Sequence, residues 1–380
     1  MKVAIFGAGK AGKFLIDEII EKSGNIQIVG AIDNKIEGEY RGISISKPDV
    51  FFAELGSVID TVIIAAGAQK TVNLFVNIIR EYGNYDIYML HDIAGKNKLP
   101  IFDEDGNILL NRVRKIRFSS DKPTIPYFEV PITDKCNLNC KGCLFACNGV
   151  DEYEDVPYEQ IEKDAVRMSE LFHDVPWIRI LGGEPLLHPD ILKILEMYRS
   201  VFNDSEIDLC TNGLLIPKME NNFFDCLKKN RITVHVSGYK STYGMLNRID
   251  EILKQHGVDY TVLKREEFAK YYTLNPDNDE DESFRDCIAS GCREVYRGKL
   301  LRCSGVIAFE KLNQKYGTHY NIVPDDWFDI HNESIDAWEI KKKLDESSNA
   351  CKYCNVNEIQ FFEWDYANNG NGLNDYIIDM

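Results

Sequence analysis

The sequence predicts an α/β protein in three parts: a parallel sheet over residues 1–120, a partial (β/α)6 barrel over 121–265, and a small cysteine-bearing extension over 266–380. Three observations predict this. Strand-like apolar runs alternate with helical patterns up to about residue 93, the same alternation restarts near Tyr127, and all 11 cysteines lie at or after Cys136. Such alternation marks parallel sheets, whose crossover connections are helices.

Composition narrows the class. A chain of 380 residues exceeds what one hydrophobic core usually supports, and 44% hydrophobic with 28% charged residues is the balance of an ordered globular protein. The net charge of -17 opposes a phosphate backbone, and no basic stripe with interleaved aromatics occurs, which excludes nucleic acid as a partner. The opening MKVAIFGAGKAGKFL is too short an apolar run to span a bilayer, and glycines interrupt it where a signal peptide is apolar. A cytoplasmic protein without a membrane partner is expected. That compartment keeps thiols reduced, so the cysteines point to metal binding or catalysis rather than disulfides.

The first alternation reads KVAIFG (2–7), a helix from Lys10 to Lys22, IQIVGAID (26–33), TVIIAA (61–66), a helix across the seventies and DIYML (86–90). The rhythm weakens after Gly95, and SSDKPTIPYFEV reads as a linker. Between the first strand and helix, Gly7, Gly9 and Gly12 form G-x-G-x-x-G, with Asp33 ending the next strand. That pattern sets a phosphate on a helix N-terminus, lets a ligand approach the backbone at Gly9, and offers a carboxylate to a ribose hydroxyl. Only about half of a dinucleotide fold precedes the linker, which argues against a complete hydride-transferring NAD site. In GAGKAG and VGAIDNK the segment resembles the Rossmann-like nucleotide-binding domains of polysaccharide-biosynthesis proteins, among them nucleotide-sugar dehydratases and sugar acetyltransferases. The resemblance implies a nucleotide-sugar, NAD or CoA ligand, or a vestigial unit.

The second alternation reads FEVPIT (128–133), a cysteine loop, a helix at 158–172, WIRILGG (177–183), a helix at 190–200, EIDLCTNG (206–213), a helix at 219–229, TVHVSG (233–238), a helix at 244–255 and VDYTVL (258–263). In the loop TDKCNLNCKGCLFAC, Cys136, Cys140 and Cys143 are spaced C-x3-C-x2-C. Three thiolates so spaced can converge on three irons of a cube and leave the fourth open. A zinc knuckle or a set of buried thiols is the alternative reading. Two further motifs accompany the loop: Gly182, Gly183, Glu184 and Pro185 after the second barrel strand, and Thr211, Asn212 and Gly213 after the third.

Together these three motifs resemble the radical S-adenosylmethionine (SAM) superfamily. The resemblance implies a 4Fe-4S cluster on Cys136, Cys140 and Cys143 whose open iron takes the amino and carboxylate groups of SAM. It implies that Gly182, Gly183, Glu184 and Pro185 contact the SAM ammonium, that Asn212 lines the site, and that Ser237 touches the ribose or else merely forms a turn. One position departs from the family: the residue before the third cysteine, often an aromatic that contacts adenine, is Gly142 here. The implied chemistry is reductive cleavage of SAM to a 5'-deoxyadenosyl radical that abstracts hydrogen from an unactivated carbon, with the protein positioning the substrate.

Five cysteines follow the barrel. Cys287 and Cys303 fit C-x10-G-x4-C around Gly298, and Cys351 and Cys354 supply C-x2-C. This resembles the SPASM/twitch extension, more closely the shorter twitch form, and implies an auxiliary 4Fe-4S cluster on four cysteines. Cys292 replaces Cys287 as ligand or stays a free thiol; structural zinc is the alternative for the set. Gly298 permits a tight hairpin in VYRGKLLRC.

Cys210 and Cys226 read as buried core thiols, and Cys147 or Cys292 is the catalytic candidate if a substrate radical needs a hydrogen donor. His188 caps a helix or packs beside the SAM loop, His235 reads as core, and DNDEDE (277–282) as a solvated loop without calcium spacing.

The reading that joins these parts is a radical SAM oxidoreductase. It modifies a carbohydrate or nucleotide-linked sugar, uses the auxiliary cluster as electron relay, and draws on a low-potential donor such as flavodoxin or ferredoxin. A peptide-modifying enzyme or epimerase is the alternative within the same chemistry, and an iron-sulfur redox or ligand sensor the alternative outside it.

Overall fold

The structure, a computed structural model, describes residues 1–66, 69–91, 101–103, 108, 112–287, 289, 291–367 and 372–378. The chain divides into one unit from Met1 to Phe118 and another from Ser119 to Met380. The change of pattern expected after Gly95 lies outside the described residues.

The first unit runs β1 (Lys2–Phe6), α1 (Lys10–Lys22), β2 (Gln27–Ile32), β3 (Gly38–Tyr40), β4 (Ile43–Ser46), α2 (Pro48–Leu55), β5 (Thr61–Ile64), α3 (Gln69–Tyr82), β6 (Asp86–Leu90) and β7 (Val113–Ile116). The sheet order is β3-β4-β2-β1-β5-β6-β7. β2 and β5 flank β1 in parallel, β4 and β6 extend them in parallel, and β3 and β7 close the edges antiparallel. Parallel strands therefore stand on both sides of β1, which corrects the expectation of half a dinucleotide fold. The strands it missed, β3, β4 and β7, are only three or four residues long, too short to show a period.

Two of the three motif glycines serve packing. Gly7 has φ +104°, and a Cβ there would lie 2.8 Å from the Ala65 carbonyl oxygen; one on Gly12 would lie 1.8 Å from the Gly7 oxygen. Gly9 faces open space. Asp33 is occupied locally: Ala8 N donates to its Oδ2 at 2.8 Å, and Lys35 N and Ile36 N donate to Oδ1 at 2.8 and 3.0 Å.

The second unit begins with four βα repeats and a fifth strand: β8 (Tyr127–Pro131), α4 (Tyr158–Leu171), β9 (Trp177–Leu181), α5 (Ile191–Val201), β10 (Glu206–Thr211), α6 (Asn221–Lys229), β11 (Ile232–Gly238), α7 (Leu246–Gln255) and β12 (Tyr260–Lys264). It continues through β13 (Glu267–Lys270), α8 (Glu280–Asp286), β14 (Glu294–Tyr296), β15 (Lys299–Leu301), α9 (Gly305–Tyr316), β16 (Trp327–Asp329), α10 (Ala337–Lys343) and β17 (Gln360–Glu363). Adjacent strands from β8 to β12 pair in parallel.

The sheet order β12-β11-β10-β9-β8-β14-β15-β16 corrects the expected boundary at 265/266, because the C-terminal stretch joins the barrel's own sheet. β8, first of its run, leaves an edge to be satisfied, and β14 covers it in parallel at Glu294 opposite Glu129. The sixth parallel strand thus comes from beyond the acidic run. The hairpin that follows has Arg297 at φ 50° and Gly298 at φ 82°, the two left-handed residues a type I′ turn needs. The acidic run is not all loop: Asp279 caps α8, its Oδ1 accepting from Glu282 N at 2.8 Å.

Alternation along each strand separates two faces. Phe128, Val130, Ile178, Ile180, Ile207, Leu209, Val234 and Val236 join the apolar residues of α4 to α7 in one core. The residues between them face the other side of the sheet. A separate core of Tyr271, Tyr272, Phe309, Leu312, Tyr320 and Tyr353 supports the late cysteines. Among the described residues no helix is long and apolar enough to cross a membrane.

Gly12→Ala forces its methyl onto the Gly7 carbonyl, so the first unit is expected to lose about 1–3 kcal/mol, read as a lowered calorimetric transition of the full chain.

Candidate active site

The cysteine loop leaves β8 and is held on each side by other segments. Gly183 N donates to Thr133 O at 2.8 Å and Glu184 N to Lys135 O at 2.7 Å, so the turn after β9 lies against the start of the loop. A Cβ on Gly183 would stand 2.2 Å from the Lys135 oxygen, and one on Gly182, at φ +150°, 2.6 Å from the Thr133 oxygen. The glycines of this motif are therefore required by main chain meeting main chain. From α9, Lys311 Nζ reaches Asp134 Oδ1 at 2.5 Å and donates to Phe145 O at 3.0 Å. The C-terminal tail supplies the rest: Lys141 N donates to Asp365 O at 3.0 Å, Gly142 N to Asp375 O at 2.9 Å, and Ala367 N to Asn139 O at 2.8 Å.

Cys136, Cys140 and Cys143 are brought together, each within electrostatic reach of the others. Burial pushes the Cys136 and Cys140 thiols up to about 12. Cys143 is drawn the other way, to about 6, first because the Cys147 thiol donates to it and then through backbone N–H groups of Cys147 and Phe145. Cys147 is buried behind the loop and serves its neighbour.

Glu184 is completely buried. Its Oε1 accepts from Thr211 Oγ1 at 2.6 Å and Leu186 N at 3.2 Å, and its Oε2 from Asn212 N at 2.9 Å. The carboxylate thus ties the turn after β9 to the end of β10, and the one charge among these groups is shared by three donors. Burial raises Glu184 to about 7, against those hydrogen bonds. Asn212 Nδ2 in turn donates to Asn137 Oδ1 in the cysteine loop at 2.6 Å. Pro185 opens a short 3-10 turn, and Ser237 stands half-buried near the end of β11. His188 caps: Nδ1 accepts from Asp190 N at 3.1 Å, just before α5, and Nε2 lies 3.0 Å from Val156 O.

The face of the sheet away from the helices carries a row of charged residues that the sequence reading missed. Glu129, Arg179 and Asp208 are register partners on β8, β9 and β10, with Glu294 on β14 opposite Glu129. Asp208 Oδ2 accepts from Trp177 Nε1 at 2.7 Å and Arg179 Nε at 3.3 Å and pairs with His235 Nε2 at 3.0 Å. His235 Nδ1 lies 2.7 Å from Thr261 Oγ1 on β12. The Arg179 guanidinium sits 4.4 Å from the centre of the Trp177 ring. Although burial opposes it, His235 and Arg179 hold Asp208 below the usual carboxylate range, while burial raises Glu129 and Glu294. Cys210, register partner of His235, and Cys292 belong to this neighbourhood: Arg179 and Glu129 act on both.

Two expectations are corrected by this row. Cys210 and His235 are not apolar core residues but members of a polar face. A signal was present in the sequence: FEVP, WIRIL, EIDLC, TVHV and REVY each hold a charged or titratable residue inside an apolar strand, where parallel strands covered on both faces are normally apolar throughout. Cys226 is the core thiol expected, buried on α6 beside Asn230 Nδ2 at 3.4 Å.

Four of the late cysteines line one small cavity of about 30 Å³: Cys287, Cys303, Cys351 and Cys354, with Phe309 and Arg302 among the other walls. Cys292 is not among its lining residues. Backbone N–H groups of Ala289 and Gly305 donate to the Cys287 and Cys303 sulfurs at 3.2 Å each. Among the described residues no three His, Cys, Asp or Glu side chains gather tightly enough to share one ion.

Residues 130–272 match the Radical SAM superfamily. GTP 3',8-cyclase of Staphylococcus epidermidis is 28% identical over 37% of this chain and 41% of its own length. That of Clostridium acetobutylicum is 30% identical over 37% of this chain and 44% of its own. The chain thus spans about two fifths of the length of these curated relatives. Among solved structures, BtrN in complex with AdoMet and 2-DOIA aligns at 17% identity and TM-score 0.36, covering 62% of this chain and 94% of that one.

Thr211→Val leaves the buried Glu184 oxygen without a donor, and a loss of about 1–3 kcal/mol is expected in denaturant unfolding of the full chain.

Proposed function

We propose that this chain, which carries a radical SAM superfamily domain across residues 130–272, cleaves SAM at a 4Fe-4S cluster held by Cys136, Cys140 and Cys143 and oxidises a sugar-like substrate. A second 4Fe-4S cluster on Cys287, Cys303, Cys351 and Cys354 takes up the electron that the substrate gives back. The observation that carries the reading is the meeting of three thiols from one loop with the ends of β9 and β10. When bound, cluster and SAM supply a 5'-deoxyadenosyl radical after one electron from a low-potential donor such as flavodoxin or ferredoxin. Everything else is the work of the chain: Gly182 and Gly183 bring main chain beside the cysteine loop where SAM's ammonium needs acceptors, and Ser237 stands at a strand end for its ribose.

The polar row supports a neutral, hydroxyl-rich substrate over a triphosphate. Glu129, Glu294 and Asp208 outnumber Arg179 and His235, and Asp208 Oδ1 is buried with no hydrogen bond among the described residues. A buried acceptor of this kind demands a donor, as ligand hydroxyls or amines provide; a polyphosphate would need an excess of Arg and Lys. The first unit is proposed to hold a nucleotide ligand of its own, a nucleotide-sugar or NAD. The open space at Gly9, the uncapped start of α1 and the reversal of strand order at β1 support that placement.

Reduced protein incubated with SAM is expected to release 5'-deoxyadenosine; a fully reconstituted sample that releases none ends the reading. Iron analysis accompanies it. Two cubes require roughly eight irons per chain, falling to about four in a Cys136/Cys140/Cys143 triple alanine variant. With a substrate in hand, Asp208→Asn is expected to lower kcat/KM for it about tenfold or more while SAM cleavage without substrate persists.

A further inference from the structure

The turn at Gly142 is filled from outside the loop. Gly142 has φ +67°, and a Cβ built there would stand 2.7 Å from Phe362 Cζ and 3.3 Å from Cε1. The Phe362 ring, on β17, therefore takes up the space that a side chain at 142 would enter, one residue before Cys143. Its place relative to the cysteines is fixed by main chain, since the tail that continues from β17 bonds to Asn139, Lys141 and Gly142. Phe268 lies directly across the β13–β17 ribbon with ring centroids 6.3 Å apart, tilted by 52° rather than stacked. Tyr239, at the end of β11, packs on Phe268 and on Trp364, giving an aromatic wall along one side of the loop. Phe362 is only half-buried.

We propose that Phe362 is the platform on which the adenine of SAM stacks, so that the C-terminal strand completes a SAM site whose cysteine loop ends in a glycine. The inference rests on the SAM-cleaving reading above. A purine offers two broad π faces and gains most from a rigid aromatic ring held at a set distance from its other anchor. Here the anchor is the methionine end of SAM at the cysteine loop, and the strand that carries the ring is tied to that same loop by two backbone hydrogen bonds, at Asp365 and Ala367. The bland alternative is that Phe362 only fills the hollow of a glycine turn. That alternative makes a different prediction: any apolar side chain of similar volume would serve.

The test measures SAM affinity of the anaerobically reconstituted full chain by equilibrium dialysis, with iron per chain determined on the same samples. Phe362→Ala is expected to weaken SAM about 5- to 150-fold. Phe362→Leu, which keeps most of the volume and has no π face, should weaken it in the same direction with iron unchanged, and Phe362→Trp should stay near wild type. Phe361→Ala is the control, because Phe361 is 64% exposed on the opposite face of the ribbon, and it should bind SAM as wild type does. Undiminished SAM affinity in Phe362→Leu at full iron overturns the proposal in favour of packing. So does loss of iron in both the Ala and Leu variants, which would make Phe362 a support of the loop. If wild type with a full first cluster takes up no SAM, the SAM-cleaving reading fails as well, an outcome distinct from a variant that matches wild type.

Discussion

A loop that gathers three thiolates cannot form a hydrogen-bonded ladder with itself, so its buried main-chain groups must be satisfied by other segments. The arrangement of the second unit follows from that constraint. The turn after β9 approaches so closely that only glycine fits at two consecutive positions. An ion pair from α9 pins the loop at Asp134, and the last residues of the chain close its far side. Segments separated by more than 200 residues meet around one loop, which is why the barrel and the C-terminal stretch form one compact unit.

The other face of the sheet is governed by charge. Placing an arginine, a histidine and three carboxylates in a parallel sheet costs desolvation that mutual pairing only partly offsets. Asp208 is the junction, receiving Trp177, Arg179 and His235 on one oxygen. Cores of parallel barrels are normally filled by branched apolar side chains, and this row departs from that rule. Its acidic excess agrees in sign with the chain's net charge of -17. The late cysteines stand in different surroundings, in a cavity set against a tyrosine-rich core, with Cys292 turned instead toward the polar row.

Local sequence determined the elements and the position of the cysteine loop. The order of strands and helices from β8 to β12 was legible because each run has a clear period and its own turn residues. The three cysteines were legible because their spacing is fixed within 8 residues of chain. So was the hairpin at Gly298, since a glycine between two apolar runs supplies the positive φ that a tight turn needs.

Tertiary structure decided what depends on long-range meeting. That β14 covers the edge of β8 could not be read locally, because an edge states a need without naming what fills it. That Cys287 rather than Cys292 lines the cavity is a matter of tertiary placement. Gly182 and Gly183 admit the main chain of the cysteine loop, and Gly142 admits Phe362. A glycine in a sequence announces only that something comes close; the fold alone identifies what does, because the contact is made by atoms distant in the chain.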